Sequence, residues 1–168
     1  MVLTVITGLL LSLLYVAIFS FSEQEAEESS SLSREVTEKC VETVTELSGK
    51  KLTDSLKAQL VEKFEKPVRK AAHFTEYAGM GILVYALLSL WYEKSRTRFL
   101  FNIGWVFVSA AFDECHQLFV AGRSGSFFDV LIDTAGGLFG MAIVLLSLYI
   151  YYHLFFKIYS VALRRKNV

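Results

Sequence analysis

Twenty consecutive residues, Val2 to Phe21, carry no charge, and three later runs are nearly as apolar. A bilayer span needs about 20 mostly apolar residues, because a helix rises about 1.5 Å per residue across a hydrocarbon core about 30 Å thick. Ala71–Tyr92 meets that length despite His73 and Glu76, and Phe99–Phe119 meets it despite Asp113, Glu114 and His116. Phe128–Phe156 exceeds it and should tilt or emerge at one end. Only helices and closed barrels satisfy every backbone polar group in lipid. With 54% hydrophobic residues clustered in long runs and one proline, the prediction is an all-α polytopic membrane protein of four transmembrane helices. The first run lacks the basic n-region of a cleaved signal peptide and reads as a retained helix.

Residues 22–70 are of a different kind. "EQEAEESSSLS" is acidic and serine-rich and predicts a mobile start. Val36, Cys40, Val44 and Leu47 then recur at helical spacing, as do Leu56, Leu60 and Phe64 after "SGKK". Two amphipathic helices follow, turning at Ser48–Lys51 with their apolar stripes packed together. Pro67 suits the first turn of the next helix or a kink leading into it. The expected organisation is transmembrane helix 1 over 1–21, an acidic linker and helical hairpin over 22–70, a three-span core over 71–156, and a basic tail over 157–168.

Positive charge in short loops sets orientation. "EKSRTR" holds Lys94, Arg96 and Arg98, and the tail holds Lys157, Arg164, Arg165 and Lys166. Both belong in the cytoplasm, which places both termini inside and the hairpin outside. The hairpin's nine Lys/Arg are spread over 49 residues and offset by eleven acids, so the short loop decides. Formal charge is zero, and no basic surface points to nucleic acid. Cys40 and Cys115 fit no metal spacing and do not form an evident disulfide framework.

Ionisable groups are expensive in lipid, and here they gather near the predicted outer ends of their helices. His73, Glu76 and Tyr77 share a face of the second span; Asp113 and His116 share one on the third with Asn102 and Ser109. Asp129 and Asp133 share a stripe with Gly136 and Gly140 on the fourth, where small residues permit close packing. Glu76 and Asp113 each lie roughly 21–22 Å above the inner interface at the helical rise. Matched depth predicts one pocket, open outward. Between the third and fourth spans, "AGRSGS" precedes a helix N-terminus that favours anions, and Arg123 offers a planar fork for phosphate or carboxylate. Asp129 and Asp133 capping that helix and pairing with Arg123 is the plainer alternative.

"KAAHFTEYAGMGILV" followed by "DECHQLFVAGRSGSFFDVLIDTAGGLFG" resembles the VanZ-like family of bacterial membrane proteins, across roughly residues 67–145. The family pattern places motif residues at His73, Glu76, Tyr77, Asp113, Glu114, Gln117, Arg123 and Asp129. Ala121 departs from a common proline, and Asp133 stands where asparagine is usual. The resemblance implies a bacterial plasma-membrane protein with a cell-envelope role linked to resistance to the glycopeptide teicoplanin.

Five carboxylates against Arg123 and two histidines leave an excess of acid, which favours a cation, a basic ligand or neutral carboxyls. The leading expectation is a pocket of His73, Glu76, Tyr77, Asp113, Glu114, His116, Gln117, Arg123, Asp129 and Asp133. It would bind an envelope ligand: a membrane lipid head group, a lipid-linked wall intermediate or the glycopeptide itself. A membrane enzyme is the alternative, with Glu76, Asp113 or Glu114 as acid/base and His73 or His116 as partner. No nucleophile signature such as G-x-S-x-G is present. H-x-x-E and D-x-x-H spacings each place two metal ligands on a helical face, yet recur by chance, so no metal or cofactor is assigned. An ion conduit would need a polar path inward, for which only Asn102 and Ser109 offer residues. A structural polar cluster without ligand is the bland reading.

Overall fold

In the computed structural model, residues 1–49 and 52–166 are described, 156–166 by backbone alone. Five helices account for the architecture: α1 (Val2–Ser22), α2 (Ala26–Ser48), α3 (Asp54–Ser89), α4 (Ser95–Gln117) and α5 (Phe127–Lys166). No strand occurs among the described residues, as expected of apolar runs that close their own backbone hydrogen bonds.

Two helices are long and apolar enough to cross a membrane, Val2–Ser22 and Phe127–Phe155. They are not core helices of a soluble fold, because only 17% and 33% of their apolar windows are buried. Val2, Leu3, Val5, Leu9, Leu13 and Val16 all face outward from α1, an arrangement that suits lipid and not water. The second and third predicted spans lie in α3 and α4, where the ionisable residues dilute the apolar sequence.

α3 is the axis of the molecule, packing on α1, α2, α4 and α5. Its 36 residues amount to about 54 Å, well beyond a hydrocarbon core. The boundary expected near Lys70 is therefore no break: the hairpin's second helix and the second span are one continuous helix. Pro67 lies inside it, where it removes one backbone donor without ending the helix. Thr53 caps its start, Oγ1 accepting from the backbone N–H of Leu56 at 3.3 Å.

The acidic serine stretch is helical from Ala26 onward, not a mobile linker. Glu27 and Glu28 occupy the first turn, where the helix dipole favours acid. The stripe that α2 buries also differs from the predicted one. Ser29, Ser33 and Thr37 are buried, while Val36, Cys40, Val44 and Leu47 are exposed. The Ser33 and Thr37 hydroxyls donate to carbonyls four residues back, at 2.9 and 2.7 Å, so small polar residues pack without unpaired groups. Gly49 ends α2 in the left-handed conformation at φ 64°; Lys50 and Lys51 of the predicted turn lie outside the described residues.

The core runs along the α1–α3–α4–α5 contact, through Ile18, Tyr77, Met80, Val84, Val106, Ala110 and Val130. Glycine sets the α3–α5 approach. A Cβ at Gly136 would overlap the backbone of Phe74, and one at Gly140 the backbone of Ala78. The Asp129/Asp133/Gly136/Gly140 stripe thus faces α3 as its spacing predicted. Asn102 and Ser109 supply no inward path, since Asn102 Nδ2 donates to the Gly81 carbonyl at 2.9 Å and Ser109 bonds Tyr15.

Candidate functional site

The polar end of the bundle is organised by the α4–α5 loop. Gly122 takes a φ of 72°, which turns the chain and leaves Arg123 pointing at the end of α1. There Nε donates to the Gln24 carbonyl and Nη2 to the Phe21 carbonyl, each at 3.2 Å. Nη1 donates to Gln117 Oε1 at 3.2 Å. A guanidinium at a helix C-terminus is well placed against the dipole. Burial and the nearby Arg69 pull its pKa below the ordinary value, Asp113 and Glu114 oppose this, and it remains charged. Three of its five N–H groups are thereby engaged inside the protein.

The N-terminus of α5 has an internal partner too. Glu114 Oε2 accepts the Ser126 backbone N–H at 2.6 Å, filling the place that the sequence offered to an external anion. This carboxylate, not Asp129 or Asp133, serves the start of α5. Asp129 pairs with Lys70.

Beneath the loop lies a shared network. Gln117 Nε2 donates to Ser22 Oγ and to Asp113 Oδ2, each at 3.3 Å, and Ser22 Oγ donates to the same Oδ2 at 2.7 Å. Asp113 is 1% exposed and its Oδ1 has no hydrogen-bond partner. His73 from α3 and Asp133 from α5 meet it, with one ligand atom of each within 4.8 Å of the others. Glu76 Oε2 is 3.7 Å from His73 Nδ1. His73 of α3 and Asp113 of α4 thus come together at one end of the bundle.

Two expected members turn elsewhere. The His116 ring packs edge-on against Phe19 of α1, with centroids 5.9 Å apart. Tyr77 is fully buried in the core, its hydroxyl reaching the Ser109 carbonyl at 3.5 Å. Both lie on the predicted helical faces; adjacent helices, invisible to a helical wheel, decide which neighbour each meets.

Two cavities open here, each about 170 Å³. The polar one is lined by His73, Glu114, Gln117, Arg123, Asp129 and Asp133, and also by Arg69 and Lys70. The other is largely apolar, bounded by Phe21, Leu32, Val36, Val68 and Ala72 with Glu76 at its end. Arg69 and His73 line both. Sequence reasoning missed Arg69 and Lys70, because it assigned them to the hairpin. A 3.6-residue count carried backward from His73 would have found Arg69 one turn earlier on the same face. Arg69, Lys70 and Arg123 together set three permanent cations against the five carboxylates of this end.

No curated protein and no solved structure matches the chain. The family model of VanZ/LLP1 does, over residues 7–156. That match takes in α1, the α2–α3 hairpin and the whole polar end, including the hairpin for which the sequence offered no recognisable motif. The chain belongs to the VanZ/LLP1 family.

Proposed function

We propose that this protein is a four-span plasma-membrane protein whose outward-facing polar end binds an anionic, amphipathic envelope lipid. The observation that carries the reading is the junction of a polar and an apolar cavity at Arg69 and His73. A head group suits the first cavity and the start of an acyl chain the second. Arg69 supplies the charge. Its Nη1 makes one long 3.4 Å bond to Ser30 Oγ, in contrast to the three-way commitment of Arg123. Cavities of about 170 Å³ fall below the roughly 300–1,000 Å³ that enclose drug-sized ligands. A glycopeptide antibiotic would not be enclosed, so the family's link to teicoplanin is read here as acting through an envelope lipid.

Arg69→Ala tests the reading. A charge-assisted hydrogen bond contributes roughly 1.5–3 kcal/mol, so retention of anionic lipid such as phosphatidylglycerol should fall about tenfold or more. Zwitterionic lipid should be retained as before. Equal retention of anionic lipid by wild type and Arg69→Ala would defeat the proposal.

Lys94 in the short α3–α4 connection, with Arg96 and Arg98 at the start of α4, supports the orientation. It puts both termini in the cytoplasm and α2 with the first half of α3 outside. Protease added to intact cells should then cut between α2 and α3 and leave terminal tags untouched. Cleavage of the tags with an intact hairpin would place the site on the cytoplasmic side.

A further inference from the structure

We infer that His73, Asp113 and Asp133 form a binding site for a single divalent cation at the floor of the polar cavity. Three helices contribute one ligand each: His73 from α3, Asp113 from α4 and Asp133 from α5. The three ligand atoms lie within 4.8 Å of one another. Ligands about 2.1 Å from a metal stand at most about 4.2 Å apart, so side-chain adjustments of under an ångström would close the site.

Charge compensation argues for an occupant. Asp113 and Asp133 are 1% and 2% exposed, and each uncompensated buried charge costs several kcal/mol. Among the described residues no hydrogen bond or ion pair joins a neighbouring base to either carboxylate: Arg123 serves Gln117 and two carbonyls, Lys70 pairs with Asp129, and Arg69 makes one long bond to Ser30. The second, independent sign is the pattern of hydrogen bonds on Asp113. Both of its donors, Ser22 Oγ and Gln117 Nε2, go to Oδ2, while Oδ1 is buried without a partner. His73 Nδ1 and Glu76 Oε2 are also buried without a hydrogen bond and face each other at 3.7 Å. A carboxylate oriented from behind with its other oxygen free is how protein ligands are held for a metal.

One imidazole and two carboxylates suit Zn²⁺ or Mn²⁺, and the absence of thiolate from this ligand set disfavours soft ions such as Cu(I). The inference stands on these residues alone and not on the lipid reading, whose test is Arg69.

Full-length protein in detergent, stripped with chelator and dialysed, would be titrated separately with Zn²⁺ and Mn²⁺. One equivalent of one of them should bind and raise the melting temperature. Asp133→Asn and His73→Gln should each weaken binding at least tenfold, and Ser22→Ala, which removes the shorter of the two bonds that hold Asp113 Oδ2, about tenfold. Glu46→Gln, on the exposed surface of α2, should change nothing. Where one variant fails to fold, the wild-type stoichiometry and the other variants still decide. Folded wild type that binds neither ion, or binds with affinity unchanged in Asp133→Asn and His73→Gln, overturns the inference. Such a result would mean that these carboxyls share protons instead.

Discussion

Gly140→Ala is expected to destabilise the protein by about 1–3 kcal/mol, the cost typical of overpacking a tight contact, although alanine is the better helix former. In an exposed helix this exchange gains about 1 kcal/mol, so the expected sign is the reverse of the local preference. The cause is backbone proximity: a Cβ at Gly140 would overlap the carbonyl of Ala78. Neither helix can retreat cheaply. Gly136 meets Phe74 four residues earlier along the same seam, and Gly137 meets Val106 on the other side. Gly104→Ala is the control, since nothing lies within 4 Å of a Cβ there. Thermal melts in one detergent would compare the two. If Gly140→Ala melts at or above the wild type, the helices are not held at glycine-limited distance, and the level that joins His73 to Asp133 is lost with it.

Arg123→Lys should cost about 2–4 kcal/mol even though the charge is kept, because hydrogen bonds to charged groups contribute roughly 1.5–3 kcal/mol each. A lysine ammonium is a compact point charge that cannot reproduce a planar fork. It would leave at least one of the Phe21 carbonyl, the Gln24 carbonyl and Gln117 Oε1 without its donor. Gln117 then loses its orientation, and with it one of the two donors on Asp113 Oδ2. The melting temperature should drop while lipid retention through Arg69 persists in the folded fraction. Unchanged stability with lost lipid retention would return Arg123 to the role of an anion receptor, the role its sequence context first suggested. The two outcomes differ in which measurement moves first.

How far the sequence carried the reading can be followed residue by residue. Apolar run length announced α1 and α5, since the bilayer sets that length directly. Helical periodicity placed Asp133, Gly136 and Gly140 on one stripe, and that stripe does face α3. The same periodicity failed on α2, where Val36 and Val44 outweighed Ser33 and Thr37 on any hydropathy scale. Close helix contact there selected small side chains that bond their own backbone. Of the two places that Pro67 suited, the first turn of a helix is excluded, because it lies inside α3, whose packing against its neighbours overrides a local preference.

The polar residues divide along that line as well. Their identity and their helical faces were written in the chain, as side-chain direction along a helix is a property of spacing alone. Which neighbour each one meets was decided by the tertiary structure. Arg123 looked like an anion receptor until the end of α1 supplied its carbonyls, and the start of α5 looked open until Glu114 filled it. His116 and Asp113, three residues apart, went to different partners: one to the Phe19 ring on α1, the other to the Ser22 hydroxyl and the Gln117 amide, beside His73 and Asp133. Hydrogen bonds and ion pairs act over about 3 Å, whereas sequence spacing fixes only direction from a helix axis. Partner choice therefore belongs to the way the five helices are set against one another.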